Sequence, residues 1–88
     1  MKTATVTIRN KVGLHARPAA MLVNAARQQS CAILLRKEDC EIQLNSIIGL
    51  LRLAVKQNDV VTLCADGPDE DAAVSALVAL IESKFGED

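Results

Sequence analysis

His15, Arg17 and Pro18 fall within the stretch VGLHARPAA, residues 12–20, and His15 is the only histidine of the chain. A neutral imidazole is a nucleophile, and a guanidinium binds oxyanions through paired N–H donors. Proline belongs in the first turn of a helix, where its missing N–H removes no internal hydrogen bond. A helix that starts beside His15 or Ala16 therefore leaves the backbone N–H groups of Ala16 and Arg17 without partners inside it, at the positive end of its dipole. Those amides and the Arg17 side chain make a small site for a phosphate or carboxylate. A nucleophilic nitrogen beside oriented donors suits phosphoryl transfer, which consists largely of positioning and of stabilising spreading negative charge. A plainer role fits the same residues, with His15 as a surface cap and Arg17 as a solvated first-turn side chain. Hydrolytic and metal-dependent chemistry has less support, because no carboxylate orienter, serine or cysteine nucleophile, or second metal ligand stands near His15 in sequence. The reading assigns no metal and no cofactor.

The elements that must position this group are legible from periodicity. Thr3 to Arg9 alternates, with Ala4, Val6 and Ile8 on one side and threonines and Arg9 on the other, which predicts a half-buried strand. Asn10 to Leu14 is a loop in which Gly13 supplies backbone freedom. From Ala16 to about Gln28, the residues Ala19, Leu22, Val23 and Ala26 follow the spacing of an amphipathic helix. Ala32–Arg36 and Cys40–Leu44 read as a hairpin across the Lys37-Glu38-Asp39 turn. A second helix follows, capped by Asn45 or Ser46, with Gly49 inside it costing about 1 kcal/mol relative to alanine. Asp59 to Ala65 is the last strand, with Val61, Leu63 and Ala65 on its inner side. The acids Asp69, Glu70 and Asp71 suit the start of a third helix, whose stripe is Val74, Leu77, Val78 and Ile81 and which Gly86 ends. The order strand, helix, strand, strand, helix, strand, helix predicts an α+β fold with the helices on one face of an antiparallel sheet.

Composition narrows the function further. The 88 residues suffice for one domain, 1–88, and 10 Lys plus Arg against 11 Asp plus Glu offer no basic face for nucleic acid. The single aromatic, Phe85, cannot form a base-stacking platform. No apolar run is long enough to insert into a membrane and no leader pattern opens the chain, so the sequence predicts a cytoplasmic protein. Cys31, Cys40 and Cys64 lack metal-site spacing and are expected to be buried free thiols.

The segment GLHARPAA strongly resembles the active-site segment of the HPr family, the histidine-containing phosphocarriers of the bacterial phosphotransferase system. NSIIGLL, residues 45–51, resembles that family's regulatory serine segment, and the resemblance extends over essentially all 88 residues. It implies an open-faced β-sandwich, βαββαβα, in which three helices cover one face of a four-stranded antiparallel sheet of order 1-4-2-3. It also implies that His15 accepts a phosphoryl group on Nδ1 from Enzyme I and passes it to an Enzyme II A-type acceptor. The chain would then be a stoichiometric intermediate rather than an enzyme, with Ala16 and Arg17 binding the phosphate. Ser46 aligns with the serine that an HPr kinase/phosphorylase modifies in many relatives, although a serine cap contributes about 1 kcal/mol with or without modification.

Residues aligned with the family's docking face are Ala20, Asn24, Arg27, Ile47, Ile48, Leu51 and Arg52. Ile47, Ile48 and Leu51 cannot all face the core of so short a helix, and an exposed apolar patch beside a reactive group marks a protein partner. A carrier that visits two partners through one face is most simply a monomer. Lys11 and Val12 depart from the more usual proline and small polar residue, and Ala54 and Asn58 replace common glycines. NKVGLHARPA, NSIIGLL and the terminal FGED are also similar to the nitrogen-related branch, NPr. The alternative function is thus regulatory, through Ser46 phosphorylation or docking to regulators rather than sugar uptake.

Overall fold

The computed structural model describes residues 1–86. Along the chain come β1 (Lys2–Thr7), α1 (Ala16–Arg27), β2 (Ala32–Lys37), β3 (Cys40–Gln43), α2 (Ile47–Arg52), β4 (Val60–Asp66), α3 (Glu70–Glu82) and a short 3-10 turn at Lys84–Gly86. The strands form one sheet of order β1-β4-β2-β3, antiparallel at every pairing. The expected α+β sandwich is therefore the fold. Glu87 and Asp88, the acidic part of the FGED end, lie outside the described residues.

Alternation along the strands decides which face is covered. Ala4 pairs with Leu63, Leu63 with Leu35, and Leu35 with Ile42, so one row of apolar side chains crosses all four strands beneath the helices. Thr3, Thr5 and Thr62 stand on the opposite face, where the hydroxyls of Thr5 and Thr62 meet at 3.3 Å. Helix α1 contributes Ala19, Leu22, Val23 and Ala26 to the core, as its spacing predicts, and α2 contributes Leu50. Helix α3 packs on β1 and β4 and touches α1, which in turn packs on α2. Truncating a side chain as enclosed as Leu22 or Leu63 to alanine would cost about 2–5 kcal/mol.

Two expectations about the third helix are corrected. Its buried residues are Ala73, Val74, Leu77 and Ile81, whereas Val78 is only half-buried. A stripe through 74, 77 and 81 leaves position 78 at its margin, and the small Ala73 is fully buried instead. The helix ends at Glu82 rather than running to Gly86. Lys84 and Phe85 then adopt φ of +59° and +56°, and this reversal carries the Phe85 ring into the core at 1% exposure.

The thiols are also more accessible than expected. Cys31 and Cys64 are half-buried, and Cys40 is exposed. Cys40 begins β3, an outer strand of the sheet, beside the Glu38-Asp39 turn. Cys64 lies between Thr3 and Leu34 on the face that the helices leave open.

Candidate functional site

His15 is the N-cap of α1, with extended backbone (φ −82°, ψ −170°), and its carbonyl accepts the first helical hydrogen bond from Ala19 at 2.9 Å. Its side chain does not cap the helix. Pro18 is therefore in the first turn, where it is buried. Helical geometry leaves the Ala16 and Arg17 amides without intrahelical acceptors. His15, Ala16 and Arg17 are all exposed. No acidic residue occupies this first turn, so no carboxylate within it offsets the positive end of the dipole.

The loop that delivers His15 to this place is held from below. Gly13 has φ +65°, and a Cβ there would stand 2.5 Å from the Val55 carbonyl oxygen and 2.7 Å from Lys56 Cα. Only glycine fits. Its N–H donates to the Asn10 carbonyl at 3.1 Å, and its carbonyl accepts from Asn10 Nδ2 at 2.6 Å. Leu14 N–H donates to the Val55 carbonyl at 3.0 Å. Asn10, fully buried, is a structural partner that the sequence reading passed over, although an asparagine three residues before a turn glycine is a recognisable signal. Val12 is 62% exposed beside this loop and supplies no polar group to the helix end.

The segment beneath Gly13 is organised by Asp59. Its Oδ2 accepts from Lys56 N–H at 2.8 Å and faces Lys37 Nζ at 3.1 Å. The Lys56 hydrogen bond, then Lys37, hold the Asp59 carboxyl below its usual range. Ala54 and Asn58, read from sequence as substitutes for common glycines, have φ of +56° and +74°, a region in which glycine is the least strained residue.

Ser46 is the N-cap of α2, so the choice left open between Asn45 and Ser46 falls to the serine. Its Oγ accepts from Gly49 N–H at 3.2 Å. The packing of α1 on α2 brings the aligned docking residues into two neighbouring helices. Ala20 is half-buried, and Asn24, Arg27 and Arg52 are exposed. Arg27 also links the two elements, donating from Nη2 to the Asn45 carbonyl at 2.8 Å. Ile47 turns inward and is half-buried against the core, while Ile48 and Leu51 remain 65% and 39% exposed. Among the described residues no group of three or more His, Cys, Asp or Glu is placed to hold a metal, and no helix is long and apolar enough to cross a membrane.

Residues 2–83 match the family described as PTS-HPr, PTS HPr component phosphorylation site. The phosphocarrier protein HPr of Treponema pallidum (strain Nichols) is 38% identical over 88 residues, covering 100% of each chain. The phosphocarrier protein NPr of Escherichia coli (strain K12) is 40% identical over 85 residues, 96% of this chain and 94% of that one. Among solved structures, HPr of Thermoanaerobacter tengcongensis aligns with a TM-score of 0.96 at 50% identity, covering 100% of this chain and 99% of that one. A second structure of HPr from that organism, described as a dimer, aligns at 0.79 and 50% identity, covering 99% and 100%. Similarity at this level, running the length of the chain, places it in the HPr family, the phosphocarriers of the phosphotransferase system.

Proposed function

We propose that His15 is the phosphoryl carrier of this chain and that one domain, residues 1–88, works as a stoichiometric intermediate between Enzyme I and an Enzyme II A-type acceptor. The observation that carries this reading is the exposed histidine at the start of a helix whose first turn holds no acidic residue. In the forward step, Nδ1 of the neutral ring attacks the phosphorus of the donor phosphohistidine. A new N–P bond forms as the donor's N–P bond breaks; the donor ring, protonated on its other nitrogen, leaves as neutral imidazole, and the His15 ring keeps its own proton on Nε2. The Ala16 and Arg17 amides and the Arg17 guanidinium then face the phosphoryl oxygens, and the second transfer reverses the roles. The reading also takes the protein to be cytoplasmic and monomeric, docking both partners through the face of Ala20, Asn24, Arg27, Ile47, Ile48, Leu51 and Arg52.

Incubation with phosphoenolpyruvate and Enzyme I is expected to yield one acid-labile phosphate per chain, with the phosphorus NMR signature of phosphohistidine and none in His15→Ala. Labelling that survives this substitution would overturn the assignment. Sedimentation of the phosphorylated chain as a dimer would overturn the monomeric part.

A second reading is regulatory, with Ser46 as the target of an HPr kinase/phosphorylase or with the unmodified chain docking to regulators. Its support is that Ser46 caps the helix that bears the exposed Ile48 and Leu51. A phosphate there would add about −1.5 to −2 charges at the helix start, favouring the helix while altering the face offered to partners. Acid-stable, ATP-dependent phosphate on Ser46 would support it, and failure of a cognate kinase to modify the residue would remove it.

A further inference from the structure

The contacts beneath the His15 loop end in a charged pair that the reading above does not use. Lys37, at the end of β2, donates from Nζ to the Ala54 carbonyl at 2.9 Å and to Asp59 Oδ2 at 3.1 Å. The same Oδ2 accepts the Lys56 N–H at 2.8 Å, and the Asp59 N–H donates to the Lys56 carbonyl at 3.0 Å. The segment 54–59 is thereby closed on itself and tied to the sheet. The side chains of Lys37 and Asp59 are only 19% and 30% exposed, so solvent screens the pair less than a surface bridge.

This tie has something to hold. Ala54 keeps a left-handed backbone that a residue bearing a Cβ resists, in a segment where Asn58 is left-handed as well, so the course of the segment depends on fixed contacts. The same segment is the surface on which Gly13 and Leu14 rest, through the Val55 carbonyl and Lys56 Cα. One residue after Leu14 stands His15. A shift of segment 55–56 is passed on through a 3.0 Å hydrogen bond and a contact with no room for a Cβ, neither of which has slack.

We propose that Asp59, together with Lys37, is a positioning residue for His15. Its carboxylate fixes Lys56 and Val55, the Val55 carbonyl fixes Leu14, and Leu14 sets the direction from which the chain turns into α1 and presents the imidazole. Neither side chain needs to touch the phosphoryl group. The inference rests on His15 being the carrier.

The test combines kinetics with amide exchange on the full chain. Asp59→Ala is expected to lower kcat for phosphorylation of the chain by Enzyme I about three- to tenfold, the scale of a small misplacement of a reacting group, with KM changed less than about twofold. Leu14 N–H should exchange about tenfold faster while Leu63 and Leu77 N–H keep their protection. Asp59→Asn, whose amide oxygen still accepts the Lys56 N–H, should recover most of the rate. Lys37→Met, which cuts the tie to the sheet, should speed Leu14 exchange in the same way and stands in for Asp59→Ala if that variant does not fold. Unchanged Leu14 exchange, acceleration shared equally by Leu63, or a loss confined to KM would overturn the proposal. If the parent chain takes no phosphate on His15, the functional reading fails, while Leu14 exchange still decides whether Asp59 positions the loop.

Discussion

Replacing Gly13 by alanine should damage the fold and the site together, and the size of the effect can be worked out. At φ +65° an L-residue loses about 1–2 kcal/mol to the clash of its Cβ with its own backbone. The new methyl would also stand 2.5 Å from the Val55 oxygen and 2.7 Å from Lys56 Cα, both backbone atoms that cannot rotate away. Making room separates the two segments and weakens the 3.0 Å bond from Leu14 to Val55, a further loss of about 1 kcal/mol. Together these give about 2–3 kcal/mol, a large part of the roughly 4–13 kcal/mol expected for 88 residues. The corresponding fall in melting temperature is about 10–25 °C. Urea denaturation followed by circular dichroism measures the free-energy loss, with Gly49→Ala as the control. At Gly49 a Cβ would meet only Ser46 Cβ and Oγ, at 3.7 and 3.8 Å, so alanine should stabilise by up to about 1 kcal/mol through helix propensity. A loss below about 1 kcal/mol in Gly13→Ala would refute the claim that the loop rests rigidly on residues 55 and 56.

Ala54→Gly should raise stability by about 1 kcal/mol, because it relieves the left-handed strain at φ +56° faster than it adds chain entropy; an unchanged or lower denaturation midpoint would contradict this. Arg17→Ala should slow phosphoryl transfer at least about tenfold while stability stays within about 0.5 kcal/mol, since the side chain is exposed and its proposed role is to meet phosphoryl oxygens; equal rates by stopped-flow transfer would exclude the guanidinium from the site. Asp59 carries the pH prediction. Its folded carboxyl is held down by the Lys56 N–H and Lys37, so the unfolded chain binds the proton more readily. Its stabilising contribution is complete above the unfolded value of about 3.9 and disappears as the pH falls through the lower folded value. Urea midpoints between about pH 6 and 3 should therefore fall less steeply in Asp59→Asn than in the parent, and parallel curves would deny the linkage.

The parts of the molecule governed by local rules were the legible ones. Pro18 located the start of α1 because proline is tolerated only in a first turn, and the spacing of Ala19, Leu22, Val23 and Ala26 named its buried face. Ala54 and Asn58, which the family resemblance marks as departures from common glycines, are two of the residues that take positive φ, a conformation the resemblance alone did not state. What stayed hidden depends on distant partners. Lys37 reads as a polar turn residue until the fold carries residues 54 and 59 up to its ammonium group. Phe85 reads as the tail of a helix until two left-handed residues turn it back into the core. The exposure of Cys40 depends on where the covering helices stop, which alternation within a strand does not encode.

The helix starts differ in a way that bears on the proposed role of α1. Helix α3 places Glu70 and Asp71 in its first turn, and Glu70 Oε1 accepts the N–H of Gly67 at 3.3 Å, so its positive end is met by side chains within the chain. Helix α2 is met by Ser46 Oγ, which takes the Gly49 N–H. Helix α1 has neither arrangement: its cap is an imidazole that does not cap, and its first turn holds an arginine where α3 holds acids. An internal carboxylate at this point would stabilise the helix by about 0.3–1 kcal/mol and would also repel the dianion the site is proposed to carry. Forgoing that stabilisation leaves the field and two amides available to an anion that arrives and departs. Rigidity must then come from elsewhere, and the Gly13–Val55 contact beneath the loop supplies it without placing a negative charge beside the proposed phosphoryl site.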